Sequence, residues 1–447
     1  MSTLIQRFFD ILTLNQDAKK FVTRSFLIIL IYTFVVMLTN TFLILHALDT
    51  LSIQQLGLIL GVKFAIQALT DYPTGALGDW IGQRWVLFIA SISYALGMIM
   101  LSYATEFHFM LIAFSIIGFA QGQESGTFNS WFDNNYILYV YEDQDRLIYG
   151  QLLGKFTMMK ELITAIAFIV GGFLIYFSSR QDLFYYQGII LLLFSFTFVL
   201  SMRDHPLTPQ HELHLKNYFN FLNQGILTVI KDRSLFILIL GLVITGSGMM
   251  LWGGLILLPL YESYAKTDIV TSVLRSTIWV FGAIGTGIAS ILSKRIKNLK
   301  KALSISFLIL DILFFSIMLI MVSFYEASKD FELLLFILLI IAFTIGFTGR
   351  YFVDVLLPRY FLDKIPNTNR NAIYSLIPSL IMIVSVPYLI IGGFLLKTYS
   401  TQMLILLLII NGIIGALLCA YGIVKPDTNK VEIIFTLNSE IAVNVPA

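Results

Sequence analysis

Apolar runs of about twenty residues follow one another along almost the entire chain, and each is long enough to cross a bilayer as a helix. That feature leaves few folds open, because hydrocarbon offers no partner to an unpaired backbone N–H or C=O. Only helices and closed barrels satisfy their own backbones there. The runs lack the period-two alternation of a barrel strand and are about twice its length. The composition agrees: 57% of the 447 residues are hydrophobic and 13% charged, more apolar surface than a soluble domain hides.

Twelve spans are predicted, at 25–45, 56–75, 85–104, 108–130, 152–177, 183–202, 235–258, 271–292, 303–323, 332–357, 371–396 and 402–423. The fold class expected is an all-α membrane protein of two six-helix bundles. Basic residues set its orientation, since cytoplasmic loops retain Lys and Arg. With the N-terminus inside, 20 of the 29 basic residues fall in cytoplasmic segments and four, Arg180, Lys266, Lys329 and Lys397, in outer loops. N-in and C-in follow. The predicted organisation is a cytoplasmic segment 1–24, a bundle 25–202, a cytoplasmic linker 203–234, a second bundle 235–423 and a tail 424–447.

The N-terminal segment reads as cytoplasmic, without a cleavable signal, and Leu4, Ile5, Phe8, Ile11 and Leu12 form a face suited to the membrane interface. In the linker, Leu215, Tyr218, Phe219, Leu222, Ile226, Val229 and Ile230 recur at helical spacing, as in an amphipathic tether. His205, His211, Glu212 and His214 match no zinc spacing, and the single cysteine, Cys419, excludes an intramolecular disulfide. No metal or cofactor is expected. The net charge of +2 gives no ground for a nucleic-acid partner. The tail 430–447 alternates like a strand and suggests no function.

A faint internal repeat links the bundles. Arg146 precedes a "GGFL" at 171–174, and Arg370 precedes a second at 392–395; "GF" recurs at 118–119 and 346–347. The same order in the same orientation indicates a parallel duplication about an axis normal to the membrane.

"GALGDWIGQR" at 75–84 interrupts the apolar pattern with a polar, glycine-rich turn. Gly75, Leu77, Asp79, Gly82 and Arg84 resemble the G-x-L-x-D-R-x-G-R-K signature of the major facilitator superfamily, with Trp80 and Gln83 where arginines are usual. "DYPT" at 71–74, "SGTFNSWFD" at 125–133 and "IPNTNRNAIYSL" at 365–376 are similar to segments of its drug-exporter-like branches. The resemblance covers about residues 20–423 and implies secondary transport by alternating access. It further implies an inner gate in which Asp79 approaches the N-terminal end of span eleven, near Arg370, and Arg84 pairs with Asp133.

An ionisable group at mid-bilayer costs roughly 2.5–3.5 kcal/mol or more, so each one present marks a partner, a cavity or a function. Lys63, Gln67 and Asp71 share one face of span two by i, i+4, i+8 spacing. Glu124 lies nine residues outward from Asp133, about 13 Å along a continuous helix. Lys160 sits at a comparable depth in span five beside Glu161, so a Glu124–Lys160 pair is expected, with Glu124 a candidate proton carrier. Arg275 is placed in span eight toward the outer side, Arg350 and Asp354 pair in span ten, and Asp311 in span nine has no evident partner. Trp131, Trp252 and Trp279, together with Arg275, are candidates to line a cavity for an amphipathic or aromatic substrate.

The expected activity is movement of a small molecule across the cytoplasmic membrane, coupled to protons and directed outward, by a chain acting as a monomer. The glycine-proline motif of span five typical of antiporters is absent from "TAIAFIVGG", which keeps uptake and uniport open. A non-transporting receptor on the same fold is a remote alternative. No HExxH, G-x-S-x-G or Walker sequence occurs, so neither a hydrolase nor an ATP-driven pump is expected.

Overall fold

The structure, a computed structural model, describes residues 6–9, 11–12, 14–140, 143, 147–203, 226–293, 295–296, 298–327, 337–338, 340–341, 346, 353–357, 360–361 and 370–424. Within its helices the side chains at 72–77, 79–80, 310–311 and 370–372, among others, lie outside that set.

The first half comprises α1 (Gln16–Met37), α2 (Phe42–Thr50), α3 (Ile53–Ile81), α4 (Gln83–Tyr103), α5 (Phe107–Glu124), α6 (Thr127–Tyr139), α7 (Leu147–Phe177) and α8 (Arg180–Ser201). The second comprises α9 (Arg233–Leu251), a π-helical turn at Trp252–Ile256, α10 (Leu257–Ala265), α11 (Asp268–Ser293), α12 (Leu299–Ala327), α13 (Arg370–Thr398) and α14 (Thr401–Val424). Among the described residues, ten stretches are long and apolar enough to cross a membrane. Their outward faces are unlike those of a soluble protein: Leu200 is 80% exposed, Phe177 74% and Leu193 67%, a surface that lipid would cover.

The helix starts are built from short polar side chains. Asn15 accepts the Ala18 N–H at 2.7 Å, and Asp232 accepts from Ser234 and Leu235. Ser52 and Gln55 form a reciprocal capping box on α3. Gly82 ends α3 at φ +95°, a backbone angle that strains any residue with a Cβ.

Several boundaries depart from expectation. Span one begins at Gln16 and is interrupted at 38–41 before α2. The turn expected over 76–84 is helix as far as Ile81, and the whole change of direction falls on Gly82. Span four breaks at Ser125–Gly126, where Gly126 takes φ +74°, so its two parts are not one rod. The N-terminal segment follows the predicted interfacial face only in part: Phe8 and Leu12 are exposed, Ile11 is buried, and Leu4 and Ile5 lie outside the described residues. Phe9 and Ile11 are fully buried, and Lys155 Nζ donates to the Phe8 carbonyl at 2.8 Å. The segment packs into the first half because Phe9 meets Phe26 and Phe156 in an aromatic cluster. Linker residues 204–225, most of span ten with Arg350, and the tail from 425 lie outside the described residues.

Glycines set how closely helices approach. Within α5, Gly118 and Gly122 face α3, and a Cβ on Gly118 would stand 2.5 Å from the Lys63 carbonyl oxygen. The two "GGFL" copies have matching roles. Gly171 abuts the Leu38 carbonyl in span one, and Gly392 abuts Leu251 in span seven. Gly172 and Gly393 each turn to the opposite half: Gly172 meets Ser272 of α11, and Gly393 meets Ile53, Gln54 and Gly57 of α3. The repeat in sequence is thus a repeat of contacts, with α7 on α11 mirrored by α13 on α3.

A Cβ at Gly57 would stand 2.5 Å from the Leu389 carbonyl, backbone that yields only if the helices part. Gly57→Ala is expected to cost on the order of 1–3 kcal/mol through overpacking. Its thermal unfolding midpoint in detergent should fall. Gly287→Ala, where a Cβ meets nothing within 4 Å, should leave the midpoint unchanged or raised.

Candidate functional site

The polar side chains inside the bundle gather where the two halves meet. On the first-half side, Tyr32 of α1 donates its hydroxyl hydrogen to Glu124 Oε2 at 3.3 Å. Glu124 is the last residue of α5, held at the start of the Ser125–Gly126 break. Lys160 on α7 acts on it electrostatically. A direct Glu124–Lys160 ion pair, as expected from depth alone, does not occur among the described residues. The break in span four removes the continuous helix on which that expectation stood.

Three predicted residues reach across to the other half. Glu161, only 4% exposed, accepts the Thr286 hydroxyl of α11 at 3.3 and 3.4 Å. Asp71 accepts from Ser379 of α13 at 3.5 Å. Arg275 of α11 donates from Nη2 to Asn40 Oδ1 at 2.6 Å, and its guanidinium lies 4.5 Å from the centre of the Phe168 ring of α7. Lys63 places its ammonium 5.2 Å from the centre of the Phe64 ring and repels Arg275. Gln67, one turn further along α3, has a buried side-chain oxygen without a hydrogen-bond partner among the described residues.

The tryptophans separate. Trp131 packs on Phe21 and Phe128 and donates to the Arg203 carbonyl at 2.8 Å, tying α6 to the end of α8, away from the polar centre. Trp252 stands in the π-helical turn with its ring 4.9 Å from Phe314, inside the packing of the second half. Trp279 is partly buried near Phe168, at 6.2 Å between ring centres, beside Arg275's own aromatic neighbour.

Of the gate residues, Gly75 and Asp79 are described only as helical backbone, and Arg370 as the first residue of α13. Arg84 is partly buried with its guanidinium 5.7 Å from the Trp85 ring centre, and Asp133 is partly buried within α6. Asp354 is exposed, while Asp311's side chain lies outside the described residues.

One cluster was not foreseen. Arg180, at the start of α8, reaches Asp49 at 2.9 Å, Glu262 at 2.9 Å and Asp268 at 2.6 Å. Asp49 belongs to the first half, and Glu262 and Asp268 to the second. The arginine is 15% exposed, better shielded than any of its partners. A single exposed pair contributes little, but one shielded guanidinium serving three carboxylates forms a network. It lies at the end assigned outward by the basic-residue asymmetry, beside the Gly172 and Gly393 contacts. Lys397 adds a link there, donating to Gln54 Oε1 at 3.0 Å. The sequence signal was faint: isolated charges at the outer ends of spans one, six, seven and eight, with no local spacing to pair them.

This arrangement has recognisable relatives. The family model described as Major Facilitator Superfamily matches residues 25–380. No curated protein matches the chain. Among solved structures, the fold is similar to the crystal structure of nucleoside transporter NupG, with a TM-score of 0.66 at 14% identity, covering 92% of this chain and 100% of that one. A mutant form of NupG gives a TM-score of 0.63 at 15% identity, over 89% of this chain and 100% of that one. At such identities the likeness is one of fold. The match of the family model over most of the chain, on a bundle of membrane-length helices whose halves meet through repeated contacts, makes this protein an integral membrane member of the major facilitator superfamily.

Proposed function

We propose that this chain is a proton-coupled secondary transporter that carries a small molecule by alternating access, with Glu124 as the proton-carrying group and export as its direction. The observation that carries the reading is the Tyr32–Glu124 contact within the electrostatic reach of Lys160, three groups of the first half. Burial disfavours a carboxylate's charge and a nearby cation favours it, so a group placed between those two influences changes protonation when either of them changes. Substrate arrival or a change in the spacing of the halves supplies that change. The carrier therefore takes up or releases a proton as it turns over. Export is supported by the resemblance of 71–84 and 125–133 to exporter-like branches.

Arg180 and the two glycine contacts act in this reading as the outer gate. The clamp spans the halves, so opening outward must separate Arg180 from Glu262 and Asp268. Asp79, Arg84, Asp133 and Arg370 are proposed to form the inner gate at the opposite end.

In proteoliposomes, Glu124→Gln is expected to lower gradient-driven transport by at least about tenfold while keeping substrate exchange, which needs no net proton movement. Transport with the wild-type pH dependence would remove Glu124 from the coupling role. A second outcome concerns the gate. Arg180→Gln should speed the labelling of Ser272→Cys by a membrane-impermeant maleimide added from outside, because Ser272 is buried against Gly172 when the gate is shut. Equal labelling rates with and without Arg180 would contradict the clamp.

A further inference from the structure

We infer that the transported molecule carries an anionic group, a carboxylate or a phosphate, held between Lys63 of the first half and Arg275 of the second. This rests on the reading of the chain as a transporter and adds a substrate class to it.

Among the described residues, neither cation is bonded to a carboxylate. Lys63 and Arg275 both lie inside the bundle, on α3 and α11, and they repel one another. The buried carboxylates nearby have other partners. Glu124 takes the Tyr32 hydroxyl and the field of Lys160, Glu161 takes Thr286, and Asp71 takes Ser379. Lys63 has no hydrogen bond or ion pair among the described residues, only the Phe64 ring. Arg275 uses Nη2 on Asn40 and one face on Phe168, while Nη1 is buried with no hydrogen-bond partner among the described residues.

Two like charges kept at membrane depth are unfavourable unless a third, opposite charge joins them. A guanidinium oriented by Asn40 and Phe168 with donors to spare is a preformed receptor for a planar carboxylate or a phosphate. The ammonium supplies a second, orientable point of attraction. Because each cation comes from a different half, an anion between them would also draw the halves together around the cargo. A ligand's own aromatic portion would find Phe64, Phe168 and Trp279 alongside.

The test uses matched pairs that differ in charge, added to the purified full-length chain in detergent: AMP against adenosine, and phenylacetate against phenylacetamide. Inorganic phosphate and acetate alone show whether the anionic group suffices. The readout is the shift in thermal unfolding midpoint. At least one organic anion should raise the midpoint of the wild type by several degrees while its neutral partner does not. Lys63→Gln and Arg275→Gln should each at least halve that shift, and Arg275→Lys should retain part of it. The inference is overturned if the neutral members act as strongly as the anions, if the anion effect survives intact in both Gln variants, or if none of the anions acts. Should a Gln variant fail to fold, the wild-type comparison within each pair still decides. The measurement uses no gradient, so its failure is distinct from a failure of proton coupling, which is read only in sealed vesicles.

Discussion

Close approach of four helices at one end of the bundle, permitted by Gly172 and Gly393, is the constraint on which the rest of this structure depends. Helices in lipid gain little from hiding apolar side chains from one another, so association rests on close packing and on polar contacts. Gly393 lets α13 reach the backbone of α3 at Ile53, Gln54 and Gly57, and Gly172 lets α7 reach Ser272 of α11. Their neighbours Gly171 and Gly392 bind the same helices back to the first span of their own half. Each glycine pair therefore serves packing within a half and packing between halves. Arg180 stands beside this join through Asp268, whose carbonyl also meets Gly172.

Polar groups then take their places along these same helices. Asp71 on α3 and Ser379 on α13 continue one contact line, while Glu161 on α7 and Thr286 on α11 continue the other. Lys63 and Arg275 lie on the same interfacial helices, which brings ionisable groups from both halves into one region without any loop. Glu124 is positioned differently, by a helix end: α5 stops at it, and Gly126 turns the chain into α6. A carboxylate at such a break has helix packing on one side and a change of backbone direction on the other, which suits the proton-carrying role proposed for it.

Much of this was legible in the residues alone. Apolar runs gave the membrane-length helices, and the charge asymmetry assigned an orientation. "GGFL" at two positions exposed the duplication before any contact was known. What stayed hidden depended on distance in the chain. Arg180 and Asp268 are separated by 88 positions, and no periodicity links a lone outer arginine to an acid in the other half. The break at Ser125–Gly126 was hidden for another reason: glycine is common within membrane helices, so its presence did not announce a positive φ. Ile11 read as part of one interfacial face with Phe8 and Leu12, although it is buried and they are exposed, because burial against protein and burial against lipid leave the same pattern. Trp131 was misleading in the same way, since an aromatic that packs and one that lines a cavity share a sequence signature.

In the proposed cycle, the two halves separate at the end where Arg180 and the glycine pairs now hold them. Double electron–electron resonance between spin labels at Ser178→Cys and Thr267→Cys, both exposed at that end and on opposite halves, measures it directly. Cys419 is buried and leaves the introduced sites free to be labelled selectively. Alternating access predicts two distance populations whose ratio changes with pH, one short as in this structure and one longer. A single short distance under every condition would contradict the account.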